Sequence, residues 1–491
     1  MRKFLFLICQ FFLICCGSPL HNAQETNSSP DISPDYTDIT IPANIAPLNF
    51  TVNDGDRCLT VISNGESSLK VRGKMVSITQ RKWKKLINGG NLSITVYAKT
   101  DGKWLKRLPF TMTVAEQTDP FISYRLIAPS YQAYGPISIM QRDLTSFRDK
   151  VIYSNTLIGD EQDKQCVNCH HFRNYTTDNM QFHTRQYKGG TILVKDGVLH
   201  KINLKTDSTV SAGVYPAWHP THDFIAYSVN TTTQRFHTAH PNRIEVADLE
   251  SGLILYDINR NEVSIISDQP DQLECFPAWA PDGHKLYYVS ATVNIPDSID
   301  PAIFVYNNYT QIHYDLYSIT FNPDTKEWGT PEKIIDAAAI NRSITLPRVS
   351  PDGRYIMFTM ARYGVFHIWH RDSDLYIADL QTRTIRPLKE INSSEVESYH
   401  SWSSNGKWVM FASRRTDTNH TRLFLTHLNQ DGTFSKPFIM PQKNAYKDSN
   451  LLLSYSIPEF SVEPVHINAH RFAKFIRNNN AENVCLNTDK D

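Results

Sequence analysis

Five consecutive residues, Cys166-Val167-Asn168-Cys169-His170, hold the densest chemistry in the chain. They read C-x-x-C-H, the attachment signature of a c-type haem. The chemistry requires that spacing. Two thiols add across the two vinyl groups of one porphyrin, and the imidazole of the next residue takes the proximal face of the iron. Plainer readings use fewer of the same residues. A redox dithiol calls for a strand-to-helix setting that the local pattern does not offer. Half a zinc site calls for a second C-x-x-C, and the sequence has one only. A local disulfide needs the two thiols alone.

The elements that position this motif emerge from internal repetition. Four segments share one pattern. An anchor aromatic stands at Tyr227, Tyr288, Phe358 and Phe411. Two residues earlier stand Ile225, Leu286, Ile356 and Val409; nine residues earlier stand Trp218, Trp279, Val349 and Trp402. Between them lies a polar turn such as Pro281-Asp282-Gly283 or Pro351-Asp352-Gly353. Second-half strands follow, as in Leu253-Ile254-Leu255, Asp315-Leu316-Tyr317 and Asp374-Leu375-Tyr376. Two strands around a turn and then further strands make one four-stranded blade, repeated. A fifth copy contains the motif itself: Phe182 takes the anchor position, Met180 the aliphatic one and Phe172 the Trp position, with His170 on the Pro of Phe276-Pro277. C-x-x-C-H therefore belongs to the first strand of a blade, and first strands line the channel of a propeller.

These repeats resemble the β-propeller repeats of the TolB-like family over roughly residues 165–465. Together with the leader, the small N-terminal region and the haem motif, the chain also looks like envelope lipoproteins of Bacteroidota described as cytochrome c-type. The fold class expected is all-β, a small β-sandwich-like domain followed by a TolB-like β-propeller. Tyr455-Ser456-Ile457-Pro458-Glu459-Phe460 reads as the opening of a sixth blade without its remainder. A six-bladed ring closed by a strand from elsewhere is the first expectation, five blades the second.

The sixth iron ligand is open at this level. His183 ranks first, because its sister positions Ser228, Val289, Thr359 and Ala412 are small or aliphatic, and breaks of a local rule gather at functional sites. His400 ranks second, on the Pro position of its own blade, and His219 third, after Trp218. Met180 reads as core because its sister positions are aliphatic, and His171 is adjacent to the proximal residue. Each lone histidine also has a plainer structural reading.

The ends of the chain set the compartment. Met1-Arg2-Lys3 followed by the apolar run from Phe4 to Ile14 reads as a secretory leader. Leu13-Ile14-Cys15-Cys16-Gly17 resembles a bacterial lipobox with Cys16 as the lipidated residue. The expected plan is a signal peptide over 1–16, a flexible tether over 17–47, the sandwich-like domain over 48–150, the propeller over 151–465 and a tail over 466–491 holding a short helix. Lys+Arg and Asp+Glu stand at 50 each, so no basic surplus calls for nucleic acid.

The function expected is a cell-envelope haem c protein with an electron-transfer or redox role, a redox or envelope protein as partner and a lipid anchor to the membrane. Two alternatives stand beside it. One is a haem enzyme of peroxidase or oxidase type, with His183 or Arg185 as distal acid-base group. The other is a non-catalytic TolB-like module that binds envelope proteins. A propeller-gated serine peptidase is excluded, since the chain has no G-x-S-x-G elbow.

Overall fold

The computed structural model describes residues 19–129, 135–160, 162–267 and 269–487. The leader and Cys16 lie outside them. Among the described residues no helix is long and apolar enough to cross a membrane. The chain forms two compact units, one of residues 1–38 with Leu48–Thr113, the other of Ile39–Pro47 with Val114–Asp491.

In the first unit, Arg57–Ser63 pairs with Ser68–Arg72 and with Leu92–Thr100, and Leu92–Thr100 also pairs with Lys103–Lys106, all antiparallel. Period-two alternation buries Ile94, Val96 and Ala98 of Leu92–Thr100 on one face. A second, three-stranded sheet joins Ile32–Ser33, Phe50–Val52 and Met75–Val76. Helix Gln80–Ile87 adds its buried Trp83, Leu86 and Ile87 to the unit. Its two sheets fit the sandwich-like expectation, but the tether over 17–47 is corrected. Gln24–Glu25 forms a parallel pair with Lys103–Lys106, and Ile32, Tyr36, Ile39, Ile41 and Ile45 are buried. Apolar residues scattered among Ser, Pro and Asp show no periodicity in sequence, yet they have partners once the sheets form.

The second unit is a six-bladed β-propeller. Blade 1 takes its strands in order from Cys166–Phe172, Met180–Arg185, Gly190–Lys195 and Val198–Asn203. Blades 2 to 5 begin with Val214–Trp218, Gln272–Trp279, Ser343–Val349 and Glu397–Trp402. Blade 6 joins the two ends of the unit: its innermost strand is Ser454–Ser461, and outward from it run Phe121–Ile127, Ser138–Asp143 and Asp149–Ser154. Each innermost strand touches the next, and Ser454–Ser461 returns to Cys166–Phe172, so the ring closes. The boundary expected at residue 150 thus moves to about 113. Phe121–Ile127 of blade 6 pairs with a strand more than 300 positions away, a relation that local patterning does not carry. The terminal helix Ala469–Asn478 follows, and beyond it Glu482–Asn483 and Cys485–Leu486 add to the outer edges of blades 1 and 2.

The repeat pattern has a direct structural meaning. In every blade from 1 to 5 the aromatic-or-Val position lies opposite the aliphatic one: Phe172 opposite Met180, Trp218 opposite Ile225, Trp279 opposite Leu286, Val349 opposite Ile356 and Trp402 opposite Val409. These cross-strand pairs fix the register of the first hairpin in each blade.

Candidate functional site

The site is built by one device repeated six times. Each innermost strand breaks register with its neighbour by a β-bulge. The residue pairs at these breaks are Cys169-His170, Tyr215-Pro216, Phe276-Pro277, Leu346-Pro347, Tyr399-His400 and Ile457-Pro458; in blade 5 the break itself falls one residue earlier, on Ser398-Tyr399, and His400 pairs with Phe411. At five of them the first residue has left-handed backbone, with φ of 56° at Cys169, 48° at Tyr215, 54° at Phe276, 56° at Leu346 and 54° at Ile457. Such geometry is costly for a side-chain-bearing residue and persists because the ring overdetermines it. Proline suits the second position because its nitrogen has no hydrogen to leave unpaired at the break in the ladder.

The first residues of the six pairs surround the channel axis. Tyr215 and Phe276 lie with ring centroids 4.2 Å apart, and the six enclose a cavity of about 40 Å³ that His170 also borders. Cys169 is the smallest member of the ring. Its thiol and that of Cys166 are both free. Cys166 lies away from the axis, half-buried beside the cluster of Val167, Phe172 and Phe182. Asn168 donates from its amide to Cys166 Sγ at 3.0 Å and accepts from Arg125. Burial pushes the Cys166 thiol up, and the charges of Arg125 and Arg185 pull against that shift.

His170 is 1% exposed, and neither ring nitrogen has a partner in hydrogen-bond geometry. Backbone groups of Ser123 and Ile457 face the ring loosely, and burial with Arg125 close by holds its pKa down to about 3. His400 occupies the same position of blade 5 and differs. Its Nε2 lies 3.1 Å from the Met357 carbonyl and its Nδ1 3.1 Å from the Ser398 carbonyl, so either tautomer finds an acceptor. His400 is a pin between two blades. His219 is also internally satisfied: its Nε2 donates to the Gly283 carbonyl at 3.0 Å, and its Nδ1 accepts from the backbone N–H groups of Thr221 and His222. Gly283 sits so close that a Cβ there would fall 2.4 Å from the imidazole. The plainer structural reading therefore describes His400 and His219, and the expectation that either faces an iron is corrected.

His183 stands opposite Asn168 across the strand pair. Its Nδ1 lies 2.8 Å from Thr191 Oγ1, while the buried Nε2 has no partner. Burial, with Arg185 adding its charge, brings its pKa down to about 3. A neutral ring fixed through Nδ1 with a free Nε2 is the arrangement of a metal-ligating histidine. His183 also borders a pocket of about 560 Å³ between blades 1 and 2. Met180 is fully buried in the core with Phe172 and Phe182.

The donor set fits a c-type haem: two free thiols at the required spacing, one buried imidazole without hydrogen-bond partners, and a second with one nitrogen free. The closed ring is tighter than the group. Small-molecule pockets measure about 300–1,000 Å³, so a porphyrin held by Cys169 and His170 requires Tyr215, Phe276 or Tyr399 to swing aside.

Sequence reading missed Asp248. It is 1% exposed and accepts from Asn230 Nδ2 at 3.0 Å and Tyr314 Oη at 3.1 Å. Burial outweighs both bonds and raises its pKa to about 6. It lies beside a register break in the largely buried strand Ile244–Asp257, and no motif in the sequence marks it.

No family model matches the chain, and no curated protein matches it. Solved structures align with it at low identity. A mutant of the Synechocystis apocarotenoid oxygenase aligns at 13% identity over 90% of this chain and 99% of that one, with a TM-score of 0.38. An oligogalacturonate lyase in complex with manganese aligns at 13% identity over 82% and 99%, with a TM-score of 0.34. A prolyl endopeptidase aligns at 10% identity over 65% and 42%, with a TM-score of 0.33. The propeller assignment rests on the sheet topology and the closed ring described above.

Proposed function

We propose that this chain is a redox protein of the cell envelope that carries one covalent haem c on the innermost strand of blade 1. Cys166 and Cys169 would hold the porphyrin and His170 the iron. The observation that supports this most directly is the contrast between equivalent histidines: His400 has an acceptor in hydrogen-bond geometry at each nitrogen, whereas His170 is equally buried and meets only the looser backbone groups of Ser123 and Ile457. Buried polar groups are costly without partners, and a ligand would answer that cost. The group, when bound, supplies a one-electron iron couple. The chain supplies the rest. Thr191 holds His183 with Nε2 free as a candidate sixth ligand, Arg125 and Arg185 place positive charge beside Cys166, and the apolar ring excludes water. An electron-transfer role goes with two strong axial ligands, an enzymatic one with an open sixth position. Cys16 would tether the protein to the membrane.

The test is a pyridine haemochrome spectrum and acid-acetone extraction of protein made in a host with c-type maturation. Extraction-resistant haem in one-to-one ratio is expected. Matured protein without it would remove this reading. The second reading is a haem-free module that binds envelope proteins, favoured by the closed cavity of about 40 Å³. Cellular function that survives replacement of Cys166 and Cys169 by Ala would select it.

A further inference from the structure

The middle strands of blade 2, Phe224–Phe236 and Ile244–Asp257, extend past the sheet as a long hairpin. The hairpin end is fastened to the loop of blade 4 that follows Ala361. Glu245 Oε2 and His370 Nε2 lie 2.8 Å apart, at 2% and 0% side-chain exposure. The Asn242 amide donates to Tyr363 Oη at 3.3 Å and accepts from the Arg371 backbone N–H at 3.1 Å. These contacts hold open a pocket of about 500 Å³ between the hairpin end and blades 4 and 5.

Positive charge dominates its walls. Arg243, Arg371 and Arg414 line it with the imidazoles of His237 and His240, against the single carboxylate of Glu395. Glu395 is taken by Arg371, at 2.5 Å. Arg243 and Arg414 make no ion pair among the described residues. Arg414 is the telling residue. It is 3% exposed, its Nε has no partner, and its guanidinium lies 3.1 Å from the centre of the Trp369 ring. One Nη donates to the Asn419 carbonyl at 3.2 Å. Stacking on Trp369 compensates part of the cost of burying this cation, but charges are rarely buried without a counter-charge. Burial and the nearby Arg243 push its pKa down to about 9, the direction that a bound anion reverses.

We infer that this pocket binds a small phosphate monoester, its phosphoryl group held between Arg243 and Arg414. Two guanidiniums without an ion pair, one of them with the carboxylates of Asp417 and Glu395 only beyond contact distance, match a group that carries about −1.5 to −2 at neutral pH, and the planar fork of arginine suits phosphate oxygens. The volume lies within the range of small-molecule sites, about 300–1,000 Å³. The site uses none of the residues assigned to haem.

Inorganic phosphate titrated into the purified protein in a calorimeter tests it, with sodium chloride at equal ionic strength as control. Saturable binding that chloride does not reproduce is expected. Arg243→Gln should weaken it by about tenfold or more, in line with the loss of a charge-assisted contact, and Arg414→Gln likewise. Arg354→Gln, which removes an outer-blade ion pair to Asp379, should leave it unchanged. If Arg414→Gln does not fold by circular dichroism, the half-buried Arg243 carries the test. No saturable binding, an equal response to chloride, or wild-type affinity in Arg243→Gln overturns the assignment.

Discussion

His170 and His400 occupy the same position of the repeat in two innermost strands, where the four other blades carry Pro216, Pro277, Pro347 and Pro458, and only His400 has an acceptor in hydrogen-bond geometry at each ring nitrogen. Position and burial are shared, so what separates the two histidines is the surrounding chemistry. His400→Ala should remove a bond between blades and leave a void, at a cost of about 2–4 kcal/mol, with the haem spectrum unmoved. His170→Ala should alter the spectrum. Urea unfolding and visible absorbance on the two variants check this, and a spectral change in His400→Ala alone would reverse the roles.

His183 and Met180 give a second contrast within one strand. His183→Ala is expected to convert low-spin haem to a high-spin or ligand-exchanged form, with far-ultraviolet circular dichroism preserved. Met180→Leu should leave the spectrum alone, because Met180 is fully buried among Phe172, Phe182 and Val194 and such swaps conserve volume. Loss of the low-spin spectrum in Met180→Leu, with His183→Ala intact, would assign the ligand to the thioether.

Ring closure depends on a small number of contacts between the chain ends. Gln141, 2% exposed in blade 6, donates to Ser461 Oγ at 3.0 Å and to the Glu463 carbonyl at 3.3 Å, and accepts from the Val465 backbone N–H at 2.9 Å. Gln141→Leu strands these groups in the interior and should cost roughly 2–4 kcal/mol. Limited proteolysis should then cut near 440–465 before other sites. Wild-type resistance would show that strand pairing alone closes the ring.

Acid should destabilise the propeller, and the direction follows from named groups. His219 and His400 are held down to about 4 in the folded protein by burial. Their contribution is present above the unfolded value of about 6.5 and is lost as pH falls toward 4, at about 1.4 kcal/mol per pH unit per proton. Asp248, raised to about 6, runs the opposite way: its contribution is present below about 4 and lost as pH rises through 6. Asp374, raised to about 6 by burial, runs with Asp248, and four lowered histidines, His170 and His183 with His219 and His400, outweigh the two aspartates. Asp248→Asn should therefore stabilise the protein at pH 7 and make its loss toward pH 4.5 steeper than in wild type. Equal urea midpoints for variant and wild type at pH 7 would contradict this.

The proposed lipid anchor at Cys16 has a simple readout. Cys16→Ala should move the protein from the membrane fraction to the soluble periplasm. A variant that still sediments with membranes would show that another feature holds it there.

Much of this molecule was readable from residue spacing. The pairing of Trp218 with Ile225, Trp279 with Leu286 and Trp402 with Val409 is local, so the sequence exposed both the blades and the place of Cys169-His170 within them. Local periodicity reports contacts made within a hairpin, and a propeller is mostly hairpins. The C-x-x-C-H motif behind the haem proposal is likewise visible in sequence alone, because it is a spacing rule on adjacent residues. Three matters were left to the tertiary structure. Blade 6 draws Phe121–Ile127 to Ser454–Ser461, and no short-range pattern encodes a partner so distant. The buried Asp248 and Arg414 owe their perturbed chemistry to neighbours from other strands and blades, with Tyr314 and Trp369 approaching only in the folded ring. And the difference between His170 and His400, identical in type and in place within the repeat, is decided by the local register of each strand pair and by which carbonyls the adjoining blade presents to the ring, a property of packing that a linear sequence does not contain.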